Sequence, residues 1–310
     1  MVTLRQFAVA CGFAVLTGGA IAAAGGAAPQ TFPSPQAGFD SFVAAVRAGD
    51  AKTLKAILGP EGDTIVESGD PVADKTAGAA FLANYDIHSK LDQTDPRQAV
   101  LEIGTDDWPL PIPMVKTAKG WQFDAAAGKE EILARRIGRN ELETVQACLA
   151  YVDAQSDYSS LDRGDGMLDY AQRFISTPKK HDGLYWPAAA GEPTSPLGPD
   201  FVVARARGYK LANAPASSAP FHGYYFRILT GQGSSAPGGA YSYLAGNRMI
   251  GGFALVAYPA RYGVSGVMTF TVNQDGVVYQ KDLGAHTAAV AEKMTVFDPG
   301  NGWTKSDGQS

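Results

Sequence analysis

Residues 251–281 read GGFALVAYPARYGVSGVMTFTVNQDGVVYQK. Gly251–Tyr258 and Val267–Asn273 read as strands, and Asp275-Gly276 is a hairpin turn leading into a third, Val277–Lys281. The intervening Gly263-Val264-Ser265-Gly266 lacks the spacing of a hydrolase nucleophile motif and reads as a turn. Upstream, GYYFRILT (Gly223–Thr230) supplies another strand. Before it lies a long Gly- and Pro-rich irregular stretch from Leu161 to Pro220, and before that a helix from Glu141 to about Ser159. Asn140, with Glu143 three residues on, forms the N-cap of this helix. Leu142, Val145, Leu149 and Val152 make its apolar stripe, with Cys148 beside them as a small hydrophobe. One helix laid over an antiparallel sheet is an α+β arrangement, and it assigns residues 139–303 to a C-terminal domain.

Residues 36–138 form a second α+β unit. Ser34-Pro35 is an N-cap followed by an N1 proline, and Phe39, Phe42, Val43 and Val46 share one helical face. Gly49 ends that helix, Asp50 caps the next, and Asp70-Pro71 opens a third running toward Tyr85. Strands follow at Ala99–Ile103, Ile112–Thr117 and Trp121–Phe123. Tyr85, Trp108, Trp121 and Phe123 either line a pocket or fill a core. A short charged helix, Lys129–Ile137, comes next, and Gly138 is expected to break it at the joint between the domains. Residues 25–35 read as a Pro-rich linker and residues 304–310 as a disordered tail.

The first 24 residues carry one cation, Arg5, then an apolar run to Ala24 that ends in small residues. This is the layout of a cleaved secretory signal peptide, with a bilayer-spanning helix as its rival. Cleavage near Ala24 removes Cys11 and leaves Cys148 without an intramolecular partner. A net charge of −5 argues against a partner with a phosphate backbone, so no nucleic acid is expected.

Neither HExxH nor a nucleotide-binding loop occurs, and the four histidines do not fall at ligand spacing on a helix. Two clusters remain. Asp162, Asp165 and Asp169, interleaved with glycines, are candidate ligands for Ca²⁺, the one cofactor considered, although their spacing fails the EF-hand register. The alternative is a solvated acidic turn. The second cluster is His181, Asp182, Tyr185, Trp186 and His222, loop residues that could bind a ligand or, with His as base, support hydrolysis. Its alternative is structural hydrogen bonding within a long loop.

The phrase FDSFVAAVRAGDAKTLKAILGP, with the later KGWQFD, resembles the nuclear-transport-factor-2-like or cystatin-like class, which implies helices covering a curved sheet. The C-terminal order of helix, variable loop, GYYFRI and residues 252–280 resembles the head of type II secretion pseudopilins and other type IV pilin-like proteins. Some of those heads carry a Ca²⁺ site. DDWPLPIPMVK, EEILARRIGRNELETVQACLAYVDAQ, HDGLYWP, FHGYYFRILTGQG and VNQDGVVYQKDLG together resemble a secreted bacterial family catalogued as domain of unknown function 2950. These resemblances imply an exported envelope protein, periplasmic or extracellular, and bring no activity with them. The expectation is a non-catalytic binding or assembly module with an envelope protein partner and an unidentified ligand. The alternative is a periplasmic hydrolase using the 181–222 region.

Overall fold

Ser34, Asp50 and Asp70 each start a helix by the same device, a side-chain oxygen accepting backbone N–H groups of the first turn. In the computed structural model, which describes residues 28–161, 168–188, 191, 193–198, 220–300 and 302–306, Ser34 accepts from Ala37, Asp50 from Thr53, and Asp70 from Val72 and Ala73. The stretch expected to be a signal peptide, residues 1–24, and Asp162 and Asp165 lie outside the described residues. The capped helices are α1 (Pro35–Ala48), α2 (Ala51–Leu58) and α4 (Pro71–Ile87), with the short α3 (Gly62–Val66) between the last two. Gly49 closes α1 in the left-handed conformation, at φ 64°.

Five strands follow: β1 (Ser89–Asp92), β2 (Gln98–Ile103), β3 (Trp108–Pro109), β4 (Met114–Thr117) and β5 (Gly120–Phe123). They pair antiparallel in the order β1–β2–β4–β5, with β3 also on β2. The helices fill this sheet with aromatic rings: Phe39 and Phe42 of α1 meet Phe123 at centroid distances of 5.1 and 5.4 Å. Trp121 and Phe123 are therefore core, while Trp108 is 43% exposed and lies under the Arg135 guanidinium at 4.6 Å. The described part of the stretch expected to be a linker, residues 28–35, is docked instead. Phe32 and Trp121 exchange two backbone hydrogen bonds (2.7 and 2.8 Å), and the Phe32 ring is buried. Burying one aromatic ring, worth about 2–3 kcal/mol, fixes this stretch despite its prolines.

The largest departure from expectation is α5, which runs unbroken from Ala125 to Ser160. Glycine inside a helix costs only about 1 kcal/mol, and contacts on both sides of Gly138 exceed that. Arg136 donates to the carbonyls of Thr64 and Ile65 (2.8 and 2.6 Å). Asn140, expected as an N-cap, is inside the helix and donates to the Ser265 carbonyl at 2.8 Å. Glu141 accepts from the Val267 and Met268 N–H groups at 2.9 Å each. The boundary drawn at 138/139 thus falls within a helix that serves two separate hydrophobic clusters. Ala125 packs in the first; Val145, Cys148, Tyr151, Ala154 and Tyr158 pack in the second. Leu142, placed on the stripe by its spacing, is 62% exposed.

The C-terminal strands are β6 (Tyr224–Leu229), β7 (Gly231–Gln232), β8 (Tyr241–Ser242), β9 (Leu244–Ala245), β10 (Arg248–Met249), β11 (Ala254–Pro259), β12 (Met268–Asn273), β13 (Tyr279–Asp282), β14 (Val296–Phe297) and β15 (Thr304–Lys305). The main sheet is antiparallel in the order β15–β13–β12–β11–β6, and α5 packs on β11 and β12. Residues 304–306 are no disordered tail, because β15 pairs with β13 and the Ser306 N–H donates to Val278 at 2.9 Å. Polar side chains do not prevent such pairing, since the ladder is made by backbone groups. The chain is an α+β protein, and none of its described helices is long and apolar enough to cross a membrane.

Candidate functional site

At the far end of α5 the Tyr158 hydroxyl donates to the His181 carbonyl at 2.9 Å, fixing the start of a polar loop against the helix. One turn earlier, Gln155 reaches out of the core and bonds both backbone groups of Ala171, donating to its carbonyl and accepting from its N–H, each at 2.8 Å. Gln155 is fully buried, so these bonds replace water it has lost and hold the segment that carries Asp169. Asp169 in turn accepts from Arg248 Nε at 2.9 Å, tying this segment to β10.

The opposing wall is the turn at 177–182. Lys180 N–H donates to the Thr177 carbonyl at 2.9 Å, with Lys179 in the left-handed region at φ 67°. Asp182 closes the turn by accepting the Thr177 N–H (2.7 Å) and hydroxyl (2.8 Å). Desolvation pushes the Asp182 carboxyl upward, but the Thr177 bonds and Arg173 together hold it below its ordinary value. The His181 ring stacks on Trp186 with centroids 4.4 Å apart and planes at 22°. Trp186 is itself buried and donates its Nε1 proton to the Pro193 carbonyl at 3.0 Å.

Together Tyr158, Asp169, Lys179, His181, Asp182, Asn247 and Arg248 line a cleft of about 500 Å³, a volume suited to a small ligand. Its polar groups divide cleanly. Asp169 pairs with Arg248, and Asp182 with Thr177. The Lys179 ammonium, the His181 ring nitrogens and the Asn247 side-chain amide have no hydrogen bond or ion pair with the described residues.

The five loop residues singled out in the sequence separate. His181 and Asp182 line the cleft, and Trp186 backs His181. Tyr185 is half-buried against the second core, its N–H bonded to Phe174 at 2.8 Å. His222 is elsewhere, with Nδ1 against the Glu143 carboxylate at the joint between the domains. Glu143 and Tyr158 are 15 residues apart on one helix, about 22 Å along its axis, so the two histidines do not share a centre. His222 precedes Gly223, whose N–H donates to the fully buried Asp70 at 2.9 Å. Glycine is required there by a φ of 76° and by Asn140 Nδ2, which a Cβ would approach to 2.6 Å.

Of the three Ca²⁺ candidates only Asp169 is described, and it is bonded to Arg248. No group of three or more His, Cys, Asp or Glu among the described residues is placed to hold a metal. Cys148 is buried and free, its thiol pushed up to about 12 by desolvation, which suits packing and not nucleophilic attack.

Residues 29–306 match the family model described as Protein of unknown function (DUF2950). The chain belongs to the DUF2950 family. No curated protein and no solved structure matches it. In this DUF2950 protein the cleft joins side chains from four separated segments. Asp169 and Arg248 are 79 positions apart. Tyr158, Asn247 and Arg248 carry no local motif, and sequence reasoning missed them. The one usable signal was the run Lys179–Asp182 beside Trp186.

Proposed function

We propose that the protein is exported to the bacterial envelope and acts there as a binding module, with the cleft at the end of α5 as its site. One observation carries this reading: Lys179, His181 and Asn247 line, with no side-chain hydrogen-bond or ion-pair partner among the described residues, a cleft whose carboxylates are already bonded to protein neighbours. A site of that kind offers recognition. Among the described residues His181 and His222 do not meet there, since His222 is at the joint, and the Thr177 hydroxyl is held between Arg173 and Asp182. Export is supported by the leader at 1–24, and a role as an assembly accessory by the helix-on-sheet form of the C-terminal half, the basis of its likeness to pilin-like heads. An envelope protein partner fits the same reading.

The test has two parts. The protein recovered from envelope fractions should begin near Gly25, by N-terminal sequencing. Thermal-shift screening with envelope-derived small molecules should give saturable stabilisation that His181→Ala abolishes, without chemical change in the ligand. Recovery with the leader intact in the cytoplasm, or turnover of the bound molecule, overturns the reading.

A further inference from the structure

We infer that the cleft selects a small acidic polyhydroxyl compound, a sugar acid or sugar phosphate, through an oxyanion at Lys179 and His181 and hydroxyls at Asp182. The inference rests on the cleft being a binding site, as proposed above, and adds the chemistry of what it holds.

The argument starts from which hydrogen-bonding capacity is used up. The Asp169 carboxylate meets Arg248, so this pair is neutralised within the protein. Asp182 accepts one bond on each oxygen from Thr177, and Arg173 lies 3.9 Å away. A carboxylate offers about four acceptor positions, so Asp182 keeps room for donors such as ligand hydroxyls. Lys179 has no such partner among the described residues. It is an exposed lining residue of the cleft, and its ammonium offers three donors, the form in which lysine recognises phosphate and carboxylate oxygens.

Placement reinforces chemistry. The left-handed backbone of Lys179 and the Thr177–Lys180 bond set where the lysine leaves the loop. His181 is held by its stack on the buried Trp186, so its ring enters binding already oriented, and Asn247 adds an amide that can both donate and accept. A neutral sugar would satisfy Asp182 and Asn247 but leave Lys179 without a counter-charge. Inorganic phosphate would satisfy Lys179 and fill little of the cleft. A ligand with both features uses the whole set.

The experiment follows the imidazole signals by NMR during titration with glucuronate, glucose 6-phosphate, glucose and inorganic phosphate. Only four histidines occur, and His181→Phe, which keeps the stack on Trp186, identifies the signal. Both acidic sugars should shift His181 saturably, at least tenfold more tightly than glucose or phosphate. Lys179→Asn, chosen because asparagine tolerates the left-handed backbone, should bring the affinity for both acidic sugars down to that for glucose. Tighter binding of only one acidic sugar assigns the oxyanion as carboxylate or phosphate. Equal binding of glucose, or indifference to Lys179→Asn, overturns the charge selectivity while the cleft stands as a site. A His181 signal unmoved by all four probes in the folded protein removes both.

Discussion

The two cores strung along α5 are built on different principles. Around Phe123 the first core is closed by Phe32, Phe39 and Phe42, and the fully buried polar side chains nearest it, Ser68 and Asp70, belong to the joint. The second core buries Gln155, Gln232, Thr271 and Asn273 among its apolar side chains. Each of these holds a partner. Gln155 pins Ala171, Gln232 donates to the carbonyls of Pro237 and Gly239, and Thr271 donates to Leu255. The first core is closed by packed rings. In the second, the buried amides of Gln155 and Gln232 hold irregular chain at Ala171 and at Pro237 and Gly239, and the first of these segments carries Asp169 of the cleft. The cleft and the buried amides therefore occur together in the C-terminal half.

Truncating Phe123 to alanine is the hardest blow to the contrast. The change should cost about 3–5 kcal/mol, because the ring touches three others and leaves a cavity. Denaturation followed by fluorescence should show early loss of the environment of Trp121 in the first core. Cys148 should stay closed to thiol reagents until the second core opens. Simultaneous exposure of Cys148 would mean that the two cores melt as one.

Gln155→Leu should cost about 2–3 kcal/mol, since it strands both buried backbone groups of Ala171 while keeping the helix. Chemical denaturation gives the cost. The sharper readout is the His181 ring signal, which should broaden or shift as the Asp169 wall loosens. An unchanged cleft in a destabilised protein would separate buried polarity from site geometry.

Gly138→Ala is expected to stabilise by about 1 kcal/mol. A Cβ there meets no atom within 4 Å, and the helix is continuous. A fall in the unfolding midpoint would instead reveal a bend at Gly138 in solution.

The smallest effect concerns pH at the joint. Burial raises the Asp74 carboxyl above its ordinary value, against the opposing pull of its Ser68 hydrogen bonds. A folded-state value above the unfolded one means the folded protein binds the proton more tightly. Its contribution is then most favourable below the unfolded value of about 3.9 and declines as pH rises through the folded value. Asp74→Asn should remove that decline, giving a midpoint slightly above the parent at pH 7 and converging with it under acid. A parent that gains stability relative to the variant as pH rises would reverse the assignment.

Much of the local structure was legible. Ser34, Asp50 and Asp70 mark helix starts because capping is a matter of four neighbouring residues, and Asp275-Gly276 marks a turn for the same reason. β1, with the sequence Ser-Lys-Leu-Asp, was not legible, because its pairing with β2 supplies what its side chains do not. Gly138 misled because the cost of a helical glycine is small beside tertiary contacts such as Arg136 with Thr64, and these are invisible to local pattern. The site was half legible on the same grounds. His181 and Asp182 are sequence neighbours, whereas Tyr158, Asn247 and Arg248 arrive from segments that only the fold brings near.

An uninterrupted α5 fixes angle as well as distance. With 3.6 residues per turn, adding or removing one residue anywhere between the two cores would swing one half of the molecule by about 100° about the other. Asp70 would then miss the Gly223 N–H, and Arg261 the carbonyl of Glu67. Length changes are thus confined to steps that restore the phase of the helix, whereas the loops flanking the cleft can vary in length without rotating anything.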